Sequence, residues 1–308
     1  MINRTLIRLK IVQLIYSFYQ NGGKDINTAE KELLFSLSKA YDLYNYLLLL
    51  MVDTTKYAAE LIENQEELNK IAHKDDNISH KFVENRFIKQ LAVNLQLLEY
   101  LDQQKRTWMN DTDYLKKLLH DIYTSDTYIE YMNSDVDDYI SDKELWRKLY
   151  KSIIMKDERI QDVLEDKSLY WNDDKEIVDT FVIKTIKRFD EQNRQYQQLL
   201  PEYKDEEDRE FAIKLFRTTI LNDEDHRRLI AQSVKNWEFD RLAFMDVVIM
   251  QIAIAEILSF PLIPTAVSIN EFVEIAKYYS TPKSASYVNG ILDAVVKKLK
   301  RENIILKN

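Results

Sequence analysis

The sequence predicts an all-α protein on three observations. Only three glycines and four prolines occur in 308 residues, far below ordinary usage of about 7% and 5%, so the residues that tight hairpins require are missing. Apolar residues recur at helical spacing along most of the chain. The longest uninterrupted apolar run, residues 46–52, falls far short of the roughly 20 residues that a membrane-spanning helix needs, so no membrane segment is expected.

From the amino terminus, Ile7, Ile11, Leu14, Ile15 and Phe18 specify one amphipathic helix that ends at Gly22-Gly23. From Thr28 onward, Leu34, Leu37, Tyr41, Tyr44 and Leu48 continue the period, and weaker stripes at 87–98, 145–153 and 178–189 carry helix to about residue 200. Two polar stretches, 73–80 and 121–142, are expected as loops or exposed helix ends. A boundary is expected near residue 200, after which the acids of 205–208 suit the start of a helix through 211–221.

Residues 247–258 are apolar apart from Gln251 and Glu256 and predict a central helix. A proline-bounded connector, 260–264, follows it. Ser268 with Glu271 reads as a capping box opening the next helix, on which Asn270 is expected to face inward and make a structural hydrogen bond. A last helix follows Pro282, with Val288, Ile291, Leu292, Val295 and Leu299 as its stripe and Lys297, Lys298, Lys300 and Arg301 at its basic end. Within it Gly290 costs about 1 kcal/mol relative to alanine, and a close backbone approach is the expected compensation.

The net charge of −9 opposes indiscriminate coating of nucleic acid. Residues 1–20, however, hold Arg4, Arg8 and Lys10 with no acid, whereas 121–144 hold eight acids against Lys143. Any anion site is therefore expected near the amino terminus. Zero cysteine excludes disulfides and thiolate-held metals, and with no basic, apolar leader a cytoplasmic protein is expected.

Residues 24–289 contain no glycine, so the usual phosphate-cradling loops are missing. His73, His80, His120 and His226 lack zinc-site spacing, and acid pairs such as Asp137-Asp138 read as solvated surface. A binding protein without cofactor or metal is expected rather than an enzyme.

The block Val267-Ser268-Ile269-Asn270-Glu271-Phe272-Val273-Glu274-Ile275-Ala276-Lys277, followed by Ser284 and Tyr287-Val288-Asn289-Gly290-Ile291-Leu292-Asp293, resembles the NusB transcription antitermination family. Trp237 with Asp240-Arg241-Leu242, and the helix ending Ile252-Ala253-Ile254-Ala255-Glu256, are similar to its central segment. Arg4, Arg8 and Val12-Gln13-Leu14-Ile15-Tyr16 are similar to its first helix. The resemblance implies an all-α, NusB-like helical bundle of residues 1–23 plus 201–308. A large helical insertion of unknown role, residues 24–200, follows the first helix.

By the same resemblance the chain is expected to be an RNA-binding factor in ribosomal RNA synthesis. It would recognise a boxA-type element together with ribosomal protein NusE and act indirectly on the RNA polymerase antitermination complex. Arg4 and Arg8 stand one turn apart, and both are expected to be exposed and able to meet one phosphate track. Lys283, Ser284, Tyr287 and Asn289, at the start of the last helix, are further RNA candidates. Tyr287 serves equally as a packing residue, and Ser284 as a cap. Tyr16, Asp240 and Asp246 match positions that in the family face the ribosomal protein, with packing, cap and dipole roles as their alternatives.

Thr5, Leu6 and Gln251 stand where the family more often carries arginine. That thinned cluster keeps open a helical protein-interaction scaffold without RNA binding. A third reading, the RNA-binding domain of a ribosomal RNA methyltransferase, is disfavoured by the lack of a glycine-rich cofactor domain.

Overall fold

A computed structural model describes every residue except 24, 73–77, 235–241, 282 and 307–308, and the described chain is all-α. Its helices are α1 (Arg4–Gln20), α2 (Ile26–Ile71), α3 (Arg86–Ala92), α4 (Leu95–Gln104), α5 (Thr112–Tyr123), α6 (Asp126–Asn133), α7 (Tyr139–Ser152), α8 (Arg159–Lys167), α9 (Lys175–Arg188), α10 (Glu206–Leu221), α11 (Asp223–Ser233), α12 (Phe244–Ser259), α13 (Thr265–Tyr279) and α14 (Ser284–Arg301). Among the described residues, β pairing is confined to one parallel bridge between Ile2 and Tyr203. No described helix is long and apolar enough to cross a membrane.

The chain divides into two compact units, one of Met1 with 39–201 and one of 2–38 with 202–308. The first turns of α2, which the sequence reading put in the insertion, thus belong to the second unit.

The unit of residues 39–201 is organised by aromatic stacking on α2. Tyr46 stacks between Trp108 at 4.3 Å and Trp171 at 5.5 Å, and the two indoles donate to the carbonyls of Tyr46 (2.8 Å) and Lys39 (2.7 Å). Each ring removes a large apolar area from water while its N–H stays paired. Asp53 anchors the loop before α5, accepting from Thr107 Oγ1 at 2.8 Å and from the Trp108 amide at 2.7 Å.

Of residues 121–142, expected as loops or exposed helix ends, the end of α5 and the start of α7 are helix ends, and only α6, a whole helix, departs from that expectation. Ser125 caps α6, and Asp138 with Ser141 forms a capping box for α7. Most acids of the run face water, while Tyr131, Tyr139 and Asp142 turn inward. Acid density is compatible with helix when it occupies one face. Of the other expected loop, 78–80 is non-helical and 73–77 lie outside the described residues.

In the second unit α1 packs on α10, α12 and α13, and α12 on α10, α11, α13 and α14. Every residue of α12 from Asp246 to Ile257 is buried, so it is the central helix that its composition predicted. Gly22 and Gly23 close α1 at φ +80° and +54°, with the Gly23 amide on Phe18 O and the Gly22 amide on Tyr19 O. That left-handed ending suits glycine.

Three local expectations are corrected in this unit. α13 begins at Thr265, with Pro264 O accepting from the Val267 and Ser268 amides, so Ser268 and Glu271 lie inside the helix and form no capping box. Asn270 is exposed, not inward. Gly290 is exposed too, and a Cβ added there meets nothing within 4 Å, so no close approach accounts for it.

Candidate functional site

α1 opens at Asn3, whose side chain caps the Leu6 amide at 2.9 Å. Its buried face comprises Leu6, Ile7, Arg8, Lys10, Ile11, Val12 and Ile15. Arg8 lies three and seven residues before Ile11 and Ile15, hence on the apolar stripe, and it is 3% exposed. This corrects the expectation that both amino-terminal arginines face solvent.

Each nitrogen of the Arg8 guanidinium donates a hydrogen bond. Its Nε and Nη2 donate to Glu256 Oε2 and Oε1 at 2.8 and 2.9 Å, and its Nη1 donates to Glu271 Oε2 at 3.0 Å. Ser268 Oγ donates to Glu256 Oε1 at 2.7 Å, and Thr5 Oγ1 to Glu271 Oε2 at 3.0 Å. A buried carboxylate on an apolar helix needs this charge-matched shell to escape a large desolvation penalty. The network joins α1, α12 and α13.

Arg4 differs in exposure. Its side chain is 41% exposed, its Nε meets Asp208 Oδ1 at 3.3 Å, and its guanidinium lies 5.0 Å from the centroid of the Phe211 ring. The Arg8 guanidinium lies 5.6 Å from the same centroid. The two arginines thus share one aromatic ring, with one inside the bundle and one at its surface.

The second group of candidates surrounds the amino-terminal end of α12. Ser284 is fully buried and Asp246 is 3% exposed, and Ser284 Oγ donates to Asp246 Oδ2 at 2.8 Å. The Thr281 amide donates to Ser284 Oγ at 3.1 Å. Neither an RNA contact by Ser284 nor a partner contact by Asp246 is accessible in this arrangement, because both side chains are buried between α12 and α14. Lys283 and Asn289 are exposed, and Tyr287 is half-buried. Tyr16 is half-buried, with its ring 5.4 Å from Phe244. Asp240 lies outside the described residues, as do Trp237 and Arg241.

The two groups sit at opposite ends of α12. Glu256 follows Asp246 by ten positions, about 15 Å along the axis at the usual rise. Between them Gln251 is fully buried and donates to Asp223, so this position serves contact between α11 and α12. Sequence reasoning missed the roles of Glu256, Ser268 and Glu271. The available signal was a lone carboxylate in an otherwise apolar helix, which demands a buried base.

A model of the NusB family matches residues 176–297. Over 98 residues the chain is 40% identical to the transcription antitermination protein NusB of Koribacter versatilis, covering 32% of the chain and 67% of that protein. The chain belongs to the NusB family. A NusB of Chloroherpeton thalassium is 44% identical over 100 residues, 32% of the chain and 47% of the relative. That of Salinibacter ruber is 40% identical over 97 residues, 32% and 61% respectively. The chain thus spans about half to two thirds of the length of the curated relatives it matches. No solved structure matches it. The NusB-family match begins within α9, upstream of the boundary near residue 200 that the sequence predicts.

Proposed function

We propose that this NusB-family chain is a transcription antitermination factor. In this reading it binds a boxA-type element in nascent ribosomal RNA together with ribosomal protein NusE and thereby joins the RNA polymerase antitermination complex, without catalysing a reaction. The observation that carries the proposal is its likeness to proteins named transcription antitermination protein NusB. The surface chemistry supports it. Arg4, itself 41% exposed, meets the buried Asp208 carboxylate through Nε and lies over the Phe211 ring. Among the described residues only its Nε is hydrogen-bonded, so its Nη groups can meet an RNA phosphate while Asp208 stays paired.

Lys283, Tyr287 and Asn289 supply a cation, a half-buried ring and an amide along the start of α14, a combination suited to an unpaired base and its phosphate. Tyr16 is the partner contact in this scheme. Arg8, Ser284 and Asp246 act from beneath the surface, fixing the helices that carry these groups.

The internal neutralisation of Arg8 favours one other reading, a NusB-fold scaffold that binds proteins and not RNA. The discriminating experiment measures affinity for a boxA-like ribosomal leader and for a scrambled RNA, with and without NusE, across salt concentrations. Sequence-selective binding strengthened by NusE supports antitermination. Equal or absent RNA binding in every condition overturns it in favour of the scaffold.

A further inference from the structure

The outer end of α2, within the unit of residues 39–201, carries an apolar seam that nothing described covers. Tyr57, Leu61, Asn64, Leu68 and Ile71 recur at i, i+4, i+7, i+11 and i+14, the d-a-d-a-d register of a coiled coil. Leu61, Leu68 and Ile71 are 42%, 59% and 77% exposed. The side of the helix next to the seam, at its e and b positions, faces inward, with Ala58 and Asn69 buried and Ile62 half-buried. His80 meets Glu66 at 2.7 Å on a further side and leaves the seam open.

One edge of the seam is acidic. Glu60 and Glu67 occupy its g positions, with Glu63 beside them. All three are exposed, and none of them is ion-paired among the described residues. From residue 60 to residue 71 the sole base is Lys70. Edge charges of this kind select coiled-coil partners.

We propose that this face of α2 docks a basic amphipathic helix of a partner protein, with leucine-type residues entering the seam and lysine or arginine along the edge that meets Glu60 and Glu67. A second copy of the chain fits less well. A parallel copy sets the two glutamates against Gln65 and Ala72, and an antiparallel copy sets glutamate against glutamate, so neither gains an ion pair. A basic helix gains one at each glutamate. The inference stands apart from the RNA-binding reading, since it uses no residue of that surface.

The test uses the full chain and three labelled synthetic peptides of three heptads each, read by fluorescence anisotropy. One has leucine at a and d with lysine at e and g, one has glutamate at e and g, and one is a scramble of the basic peptide. The basic heptad peptide is expected to bind at least about tenfold tighter than either control. Leu61→Ser with Leu68→Ser removes that advantage, and Glu60→Lys with Glu67→Lys transfers the preference to the acidic peptide. All four positions are solvent-facing, so circular dichroism is expected to stay unchanged. Equal binding of the scramble, or undiminished binding by the serine variant, overturns the proposal. So does sedimentation showing a dimer that Leu68→Ser dissociates, for the occupant is then a second copy.

Discussion

Ser284 Oγ and the Asp246 carboxylate form a 2.8 Å hydrogen bond inside the second unit, so two side chains singled out for separate surface roles serve one internal contact. A buried donor–acceptor pair of this type holds α14 against α12. Removing the serine hydroxyl takes from the buried Asp246 carboxylate the donor to its Oδ2.

Ser284→Ala is therefore expected to destabilise the protein by about 1–3 kcal/mol. Tyr287→Ala, at a half-buried position, is expected to lower RNA affinity at constant salt. Urea denaturation of both variants beside RNA titrations separates the two effects. A Ser284→Ala protein with unchanged urea midpoint contradicts the structural role.

Arg8→Ala strips two carboxylates of their counter-charge, one of them fully buried, and is expected to cost about 3–5 kcal/mol. Arg4→Ala breaks a single pair whose arginine is 41% exposed and is expected to cost less than Arg8→Ala, on the order of 1 kcal/mol. Its effect should appear in RNA binding, as weaker affinity and a shallower salt dependence. Denaturation and salt-dependent titrations of each single variant check both halves, since the double variant mixes stability with binding.

Gly290→Ala is expected to raise stability by about 1 kcal/mol, because the position is helical, exposed and free of neighbours within 4 Å of a new Cβ. A rise in melting temperature with unchanged RNA affinity is the outcome consistent with a glycine that packs against nothing.

Among the described residues, His226 is a source of acid sensitivity. Burial pushes the His226 imidazole down from 6.5 to about 4, against the opposing pull of Asp223 and Asp225. The unfolded chain takes up this proton below about pH 6.5, whereas the folded chain does so only near pH 4. Stability from this group is thus complete above pH 6.5 and falls by up to about 3 kcal/mol as the pH drops to 4. Stability measured at pH 7.5 and pH 5 is expected to differ less in His226→Gln than in the parent.

What the sequence disclosed follows from how strongly each pattern constrains packing. The central α12 and the stripe of α14 were legible because their apolar residues repeat at one period with few interruptions. The start of α13 was misread because Pro264 supplies the first accepting carbonyl and draws the helix back to Thr265. The role of Arg8 was hidden for another reason. Glu256 announces that a base must lie near it, but the sequence offers 43 lysines and arginines and only the fold selects among them. The burial of Ser284 and Asp246 was likewise invisible, since short polar residues at helix ends face either way.

The ion pair between Arg8 and Glu256 spans 248 positions, and this separation sets a timetable for synthesis. At ordinary elongation rates α1 leaves the ribosome on the order of ten to fifty seconds before Glu256 is made. Until α10 is made, which takes up most of that interval, its apolar stripe and its arginine lack the helices they pack on in the second unit, while residues 39–201 become available to fold. The newborn chain therefore exposes a short amphipathic helix for far longer than its α12 counterpart, and chaperone capture early in translation is expected to concentrate on the first 20 residues.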